Sequence, residues 1–347
     1  MALLELTKDD INGHIKNLVD KLEKTQWNKH KVSPELLYGP IINREGLREM
    51  KMEKGFYTTK TSGSTGEPVT IEKTYGDFIW TSACNIREIR WRKWDVTKNV
   101  AIIKTTLNEG KFDTWGIPPN VEPVQGVCYT NSYKPISELQ KWLEEVNPHY
   151  INCFPSIFKQ IDTSKISNFI DWKGTGEMGG TMYSTEECGV IAIQCPDNPK
   201  VMHVMENIHV DVDEKGAIIV TNMVNPYIKK YKHGDHIVLG ECNCGRGLQT
   251  ITEIKGRVRN MFTLPNGDKK WPLIGSLKFE SFGIKRFKAI QTTLNELELQ
   301  IISEPLNEKE QELKDIVIES LGLPINVTIT YVDDFPNYKF EEFVSLV

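Results

Sequence analysis

The octet Thr61-Ser62-Gly63-Ser64-Thr65-Gly66-Glu67-Pro68 constrains this chain more than any other stretch. Hydroxyl residues and two glycines fill its first six positions, between the pair Phe56-Tyr57 and the strand-like Val69-Thr70-Ile71. Glycines let the backbone approach a ligand closely and adopt positive φ. Hydroxyls and free N–H groups then face one cavity, and successive backbone donors make an anion-binding concavity suited to phosphate oxygens. The octet is not the nucleotide-binding P-loop, because no lysine follows its second glycine. The plainer alternative is a Ser/Gly-rich surface turn.

The rest of the chain has to supply what a phosphate loop needs around it. Its 347 residues suggest two domains. With 39% hydrophobic and 26% charged residues it has the composition of an ordinary globular protein. A net charge of -5 leaves no basic excess of the kind that a nucleic-acid binder carries. Met1-Ala2-Leu3-Leu4-Glu5-Leu6 turns charged at Lys8-Asp9-Asp10, so no secretory signal is expected. No apolar run approaches the ~18 residues of a membrane helix, and the cytoplasm is the expected location. Seven cysteines, an odd number, read as reduced thiols or a metal site rather than a disulfide frame.

Residues 7–24 have apolar positions at helical spacing, with Thr7 as N-cap. A second helix is expected over 74–94, and others over 135–146 and 155–161. Short apolar runs at 100–103, 150–153 and 166–170 read as strands. Strands alternating with helices predict a largely parallel sheet, and such sheets bind ligands at the carboxyl ends of their strands. Beyond about residue 260 the pattern becomes a hairpin over 286–303, a helix over 308–321 and a strand over 325–332, a compact α+β module. Trp80, Trp115 and Phe154 read as core packing, with an aromatic-acid pocket as the alternative.

Four further stretches carry candidate chemistry. Gly174-Thr175-Gly176-Glu177 precedes Tyr183-Ser184-Thr185-Glu186; then come Tyr231-Lys232-His233-Gly234-Asp235 and Gly256-Arg257-Val258-Arg259-Asn260. An aromatic face stacks on a purine, a hard cation wants carboxylate oxygen, and a carboxylate can hold two hydroxyls. With the octet, and in this order, these stretches resemble the motifs of the adenylate-forming superfamily of acyl-CoA synthetases, luciferases and adenylation domains. The segment Trp142 to Tyr150 with Pro155-Ser156 is similar to the phenylacetate-CoA ligase and capsule-type group. The resemblance covers roughly residues 55–347. Ser184, His233, Asn260 and Tyr338 depart from the superfamily's usual residues.

The resemblance implies an α/β fold, with a large N-terminal adenylate-forming domain over 1–258 that binds ATP and the acid. A small mobile α+β C-terminal lid domain would follow over 259–347. It implies that Thr61, Ser62, Gly63, Ser64, Thr65 and Gly66 hold ATP phosphates, with Thr65 counted among the catalytic groups. Gly176, Glu177 and Tyr183 would lie at the adenine, and Ser184 and Thr185 near the phosphates. Glu186 would carry Mg²⁺, Asp235 and Arg257 would bind the ribose, and Lys339, in Phe335-Pro336-Asn337-Tyr338-Lys339, would be the catalytic lysine of the lid.

Cys195 and His203 are separated by seven residues, and Cys242 and Cys244 by one. Three thiols and an imidazole make a tetrahedral zinc set, and ordinary buried thiols are the alternative. Some members of the phenylacetate-ligase group carry zinc on a similar Cys/His pattern, which implies a structural zinc here. Cys84, Cys128, Cys153 and Cys188 read as buried thiols, and His149 and His209 as core or surface residues.

The reaction so implied joins a small-molecule carboxylic acid to AMP from ATP and then moves the acyl group to coenzyme A. An amine, a protein thiol or a carrier protein are alternative acceptors. A nucleotide-binding protein that no longer catalyses is the alternative of a different class.

Overall fold

The computed structural model describes residues 6–29, 31–60, 69–104, 107–132, 134, 136–174, 179–257, 262–263, 269–270, 281–284, 286–321, 324–333 and 343–347. The chain splits into two compact units. The first comprises Met1–Thr59, Thr70–His233 and Ile237–Ile254; the second comprises Lys60–Val69, Gly234–His236 and Lys255–Val347.

The first unit opens with helix α1 (Lys8–Thr25), whose Thr7 and Asp10 form a reciprocal capping box. A short helix α2 (Arg44–Glu49) and strands β1 (Tyr57–Lys60) and β2 (Thr70–Lys73) follow, and the octet joins these two strands. Helix α3 (Tyr75–Trp91) starts on a second capping box, Thr74 with Asp77. Two orphan backbone donors are satisfied reciprocally in each box, which sets where the helix begins. Ile15, Val19 and Leu22 of α1 pack on Ile79, Ala83 and Ile86 of α3. Each fully buried aliphatic side chain in that seam stabilises the fold by ~1.5–3 kcal/mol.

A five-stranded sheet comes next. Its strands are β3 (Val100–Ile103), β4 (Gly110–Phe112), β5 (Cys128–Asn131), β6 (Tyr150–Asn152) and β7 (Asp171–Lys173), with helices α4 (Ile136–Val146) and α5 (Pro155–Phe158) between them. The spatial order is β4-β5-β3-β6-β7. β3 runs parallel to β5 and β6, β6 runs parallel to β7, and only the edge strand β4 is antiparallel. Trp80 packs on the apolar core and Trp115 sets its edge against Trp94 and Tyr150, so both are packing residues.

The expected strand over 166–170 is not formed; that stretch is turn, and β7 starts at Asp171. Short polar side chains explain the change. Asp162 caps the turn Thr163–Lys165, Asn147 donates to Ser167 Oγ, and the Asn147 side-chain oxygen accepts from the Asn168 N–H at 3.0 Å. Such local bonds compete with a sheet ladder.

The larger departure from the expectation is a second sheet. It has seven strands: β8 (Met182–Thr185), β9 (Gly189–Gln194), β10 (Met202–Val204), β11 (Ile208–Val212), β12 (Ala217–Asn222), β13 (Tyr231–Gly240) and β14 (Thr250–Arg257). Their order is β11-β12-β13-β14-β10-β9-β8. The pairs β8–β9, β9–β10, β10–β14 and β11–β12 are antiparallel. The parallel sheet is therefore only part of the unit.

The second unit holds a short pair, β15 (Phe262–Thr263) with β16 (Lys269–Lys270), and a four-stranded sheet. That sheet is built on the hairpin β17 (Arg286–Thr293) and β18 (Glu296–Ile302), with β19 (Asn326–Tyr331) and β20 (Phe343–Ser345) parallel outside it. Helix α6 (Glu310–Leu321) sets Leu313, Val317 and Leu321 on Ala289, Leu299 and Ile301. The α+β pattern read from the sequence is present here with element ends moved by one or two residues. No helix among the described residues is long and apolar enough to cross a membrane.

Candidate active site

β8 carries Tyr183, Ser184 and Thr185, all half-buried, and a register shift between Tyr183 and Ser184 interrupts its pairing with β9. Such an irregularity re-aims side chains at a strand end. The strand closes on a turn in which Thr185 Oγ1 accepts the Cys188 N–H at 3.0 Å. The turn leaves Glu186 exposed and Glu187 buried. The Glu186 carbonyl accepts Thr59 Oγ1 at 3.2 Å, which ties the turn to the end of β1.

Beneath Glu186 lies a buried polar layer that the sequence reading missed. Glu187, only 2% exposed, accepts the Tyr231 hydroxyl at 3.2 Å and faces Arg44 and His233, each at 3.7 Å. Lys73 Nζ donates to the Glu187 carbonyl at 2.7 Å. Asn222 donates to the Cys188 carbonyl at 3.1 Å and to Asp77 at 3.0 Å, and Asn225 donates to Asp77 at 2.8 Å. Burial pushes the Lys73 ammonium below its usual pKa, with Asp77, Cys188, Glu186 and Glu187 opposing. Burial pushes the Tyr231 phenol up, as does the negative charge on Glu187. Every charge in this layer has a counter-charge or a donor, the condition for tolerating buried ions. The layer thus holds the Glu186 turn on a rigid base while its carboxylate stays in solvent. No short spacing announces it, because its members come from six separate segments.

The other side of β8 is anchored to the parallel sheet. The Thr181 N–H and the Met182 N–H both donate to the Gly174 carbonyl, at 2.8 and 3.2 Å, and the Gly174 N–H donates to Thr181 Oγ1 at 3.1 Å. A Cβ on Gly174 would come within 2.4 Å of the Cys153 carbonyl oxygen, so only glycine fits there. The bracket fixes both ends of the segment holding Gly176 and Glu177.

Asp235 stands half-buried on β13. The Arg257 backbone ends β14. Thr61, Ser62, Gly63, Ser64, Thr65, Gly66, Gly176, Glu177, Asn260, Tyr338 and Lys339 lie outside the described residues, as does the Arg257 side chain.

The structure does bring together Cys195, His203, Cys242 and Cys244. One ligand atom from each lies within 4.8 Å of all the others. Cys195 follows β9, His203 is on β10, and Cys242 and Cys244 lie between β13 and β14. The Cys195 and Cys242 sulfurs are 3.8 Å apart, and Cys244 Sγ is 3.2 Å from His203 Nε2. In a tetrahedral zinc site with Zn–S of ~2.3 Å, two sulfurs stand ~3.8 Å apart. A disulfide needs ~2.05 Å, so the thiols are spaced for a shared ion rather than a bond.

The surroundings suit that donor set. Burial, with the nearby Arg246 charge, pushes the His203 imidazole down to about 4, so it is neutral at neutral pH. Thr250 Oγ1 lies 3.4 Å from His203 Nδ1 and orients the ring so that Nε2 faces Cys244. Burial raises the Cys195 thiol to about 11. Burial also pushes Cys244 up, but hydrogen bonds from Arg246 and the neighbouring thiols outweigh it and lower the net value. The Arg246 guanidinium lies over Trp27 and Trp91, at 4.8 and 4.9 Å from the ring centroids. The remaining thiols, Cys84, Cys128, Cys153 and Cys188, are buried.

A cavity of about 310 Å³ opens between α1 and α3, lined by Leu22, Ala83, Arg87, Arg90 and Trp91 among others. Arg87 grips Glu206 with two bonds of 2.6 and 2.9 Å, and Arg90 binds Glu23 and Glu122. Its cations are already neutralised, so it has no charge to offer an acid.

The sequence matches no protein-family model and no curated protein. Among solved structures, the chain is similar to a 2-hydroxyisobutyryl-CoA ligase in its postadenylation state in complex with 2-HIB-AMP. The match has a TM-score of 0.56 at 14% identity and covers 97% of this chain and 89% of that one. The same ligase in complex with R3-HIB-AMP matches with a TM-score of 0.55 over the same shares. The fold is therefore the mixed α/β fold of that ligase, with a large N-terminal and a small C-terminal domain.

Proposed function

We propose that the protein activates an organic acid as its acyl-adenylate at the expense of ATP, and then transfers the acyl group to coenzyme A. One observation carries the reading. The fold overlies an acyl-AMP-bearing ligase along 97% of this chain, and the Tyr183-Ser184-Thr185-Glu186 stretch ends a strand with Glu186 exposed, which supports the reading. Charge neutralisation and in-line positioning are what an attack on the α-phosphorus requires, more than acid–base work.

In this reading Thr61, Ser62, Gly63, Ser64, Thr65 and Gly66 hold the phosphates, and Glu186 carries the Mg²⁺ bound to ATP. Gly176, Glu177 and Tyr183 form the adenine site, Ser184 and Thr185 lie toward the phosphates, and Asp235 and Arg257 hold the ribose. Lys339 meets the α-phosphate and the carboxylate from the lid, residues 259–347. Cys195, His203, Cys242 and Cys244 hold a closed structural zinc that ties the chain after β9 to the chain before β14. A four-ligand set leaves no open position, so the metal contributes folding energy rather than catalysis.

Pyrophosphate exchange with a panel of carboxylic acids tests the reading. Acid-dependent exchange that is lost in Glu186→Ala and in Lys339→Ala supports it. ATP binding with no exchange for any acid overturns it in favour of a non-catalytic nucleotide-binding protein. The off-pattern residues Ser184, His233, Asn260 and Tyr338 make that the competing reading.

A further inference from the structure

We propose that Arg246 is the counter-charge of the metal site and couples its occupancy to the docking of α1, so that bound zinc holds the first helix in place; this rests on the zinc reading above and not on the acid activation. Zn²⁺ with three thiolates and a neutral imidazole carries one net negative charge. Cys195 and His203 are buried, and Cys242 and Cys244 are half-buried, so little water reaches that charge. A charge placed there needs a counter-charge close by.

Arg246 supplies it. Its side chain is 8% exposed, and its guanidinium donates a hydrogen bond to the Cys244 sulfur. Asp197, the carboxylate it also bonds, is 59% exposed, so water screens most of that pairing. Arg87, whose charge also reaches His203, is held by Glu206 through two bonds. That leaves Arg246 to meet the charge of the site.

The same guanidinium reaches the helix pair. Gly245, at φ 85°, takes the left-handed conformation between Cys244 and Arg246. Arg246 Nε donates to Gln26 Oε1 at 3.0 Å, and the Trp91 indole N–H donates to the same oxygen at 3.2 Å. The Gly247 N–H donates to the Gln26 carbonyl at 2.9 Å, and a Cβ on Gly247 would come within 2.1 Å of the Asn28 carbonyl oxygen. Gln26 is the C-cap of α1. Trp91 ends α3 and sets its ring edge-on to His203, with centroids 6.0 Å apart. One side chain thus touches a metal ligand and the ends of both helices. Cys242 and Cys244 hold this loop to the ion, so losing the ion frees the loop and, with it, the hold on Gln26.

Two readouts on the full chain test the coupling. Zinc affinity is measured by competition with a chromogenic chelator. Arg246→Met should bind zinc about tenfold or more weakly, equivalent to about 1.4 kcal/mol. Arg246→Lys should recover part of the loss, because it keeps the charge without the planar donor set. The cobalt-substituted variants should keep the wild-type absorption spectrum, which a rearranged ligand set would change. Hydrogen exchange over residues 19–26 reads the helix. Chelation should speed it in the wild type, added zinc should slow it again, and in Arg246→Met it should stay fast at saturating zinc. The claim is overturned if Arg246→Met binds zinc as the wild type does, if its cobalt spectrum changes, or if chelation leaves exchange over residues 19–26 unaltered. Should Arg246→Met fail to fold, Arg246→Lys decides, and wild-type zinc affinity there overturns the claim. A wild type that binds no zinc removes the zinc reading and the coupling together, whereas equal binding by wild type and Arg246→Met removes the role of Arg246 alone.

Discussion

Lys173→Met should be among the most destabilising single changes in the first unit. Lys173 and Glu88 lie 2.8 Å apart with side-chain exposures of 8% and 2%. At an effective dielectric constant of about 20, unit charges at that distance attract by roughly 6 kcal/mol, most of which desolvation offsets. The cost of the mutation is therefore not the lost attraction. It is the Glu88 carboxylate left buried with, among the described residues, only the Thr181 hydroxyl to satisfy it. Breaking such a pair costs ~3–5 kcal/mol, whereas removing both charges is often near neutral. In a unit of this size 1 kcal/mol moves the melting point by ~2–4 °C, so Lys173→Met should melt roughly 10 °C lower. The double variant Glu88→Gln/Lys173→Met, which keeps an acceptor for Thr181, should return to within about 2 kcal/mol of the wild type. Urea unfolding of the four proteins closes the cycle. The argument fails if Lys173→Met costs less than about 1 kcal/mol, or if the two single losses simply add in the double variant.

Three further expectations follow from the same contacts. The purified protein should contain zinc close to one ion per chain, and chelation should lower its melting point, as should Cys242→Ser; a metal-free protein that melts unchanged by chelator removes the zinc site. Asp213, hydrogen-bonded by Lys232 and by two backbone N–H groups, titrates down near about 2, below the unfolded value of ~3.9. Its stabilisation is thus fully present above pH ~4 and is lost as pH falls toward 2, and Asp213→Asn should flatten that part of the acid-unfolding profile. Gly174→Ala, whose Cβ would meet the Cys153 carbonyl at 2.4 Å, should lower the melting point by several degrees, as a forced backbone shift requires; an unchanged melt would show that the bracket is slack.

Much of this protein was legible without coordinates. The Thr7 N-cap, the apolar spacing of Ile15, Val19 and Leu22, and the hairpin at residues 286–303 are local, and local geometry is set by neighbouring residues. The four zinc-type ligands could be picked out because thiols and an imidazole are few and distinctive. Their convergence within 4.8 Å could not be read, since it depends on β9, β10 and β14 pairing side by side. The strand expected over 166–170 failed because Asn147, some twenty residues earlier, reaches it with its side chain.

The sequence alone determined which short segments carry hydroxyl, carboxylate and thiol chemistry, because residue type and close spacing are written in the chain. Only the tertiary structure decided that Arg44, Lys73, Asp77, Glu187, Asn222 and Tyr231 form one buried layer under Glu186. The physical reason is that charge pairing and desolvation depend on distance through space, and a linear sequence does not encode which distant segments the packed sheets bring within reach.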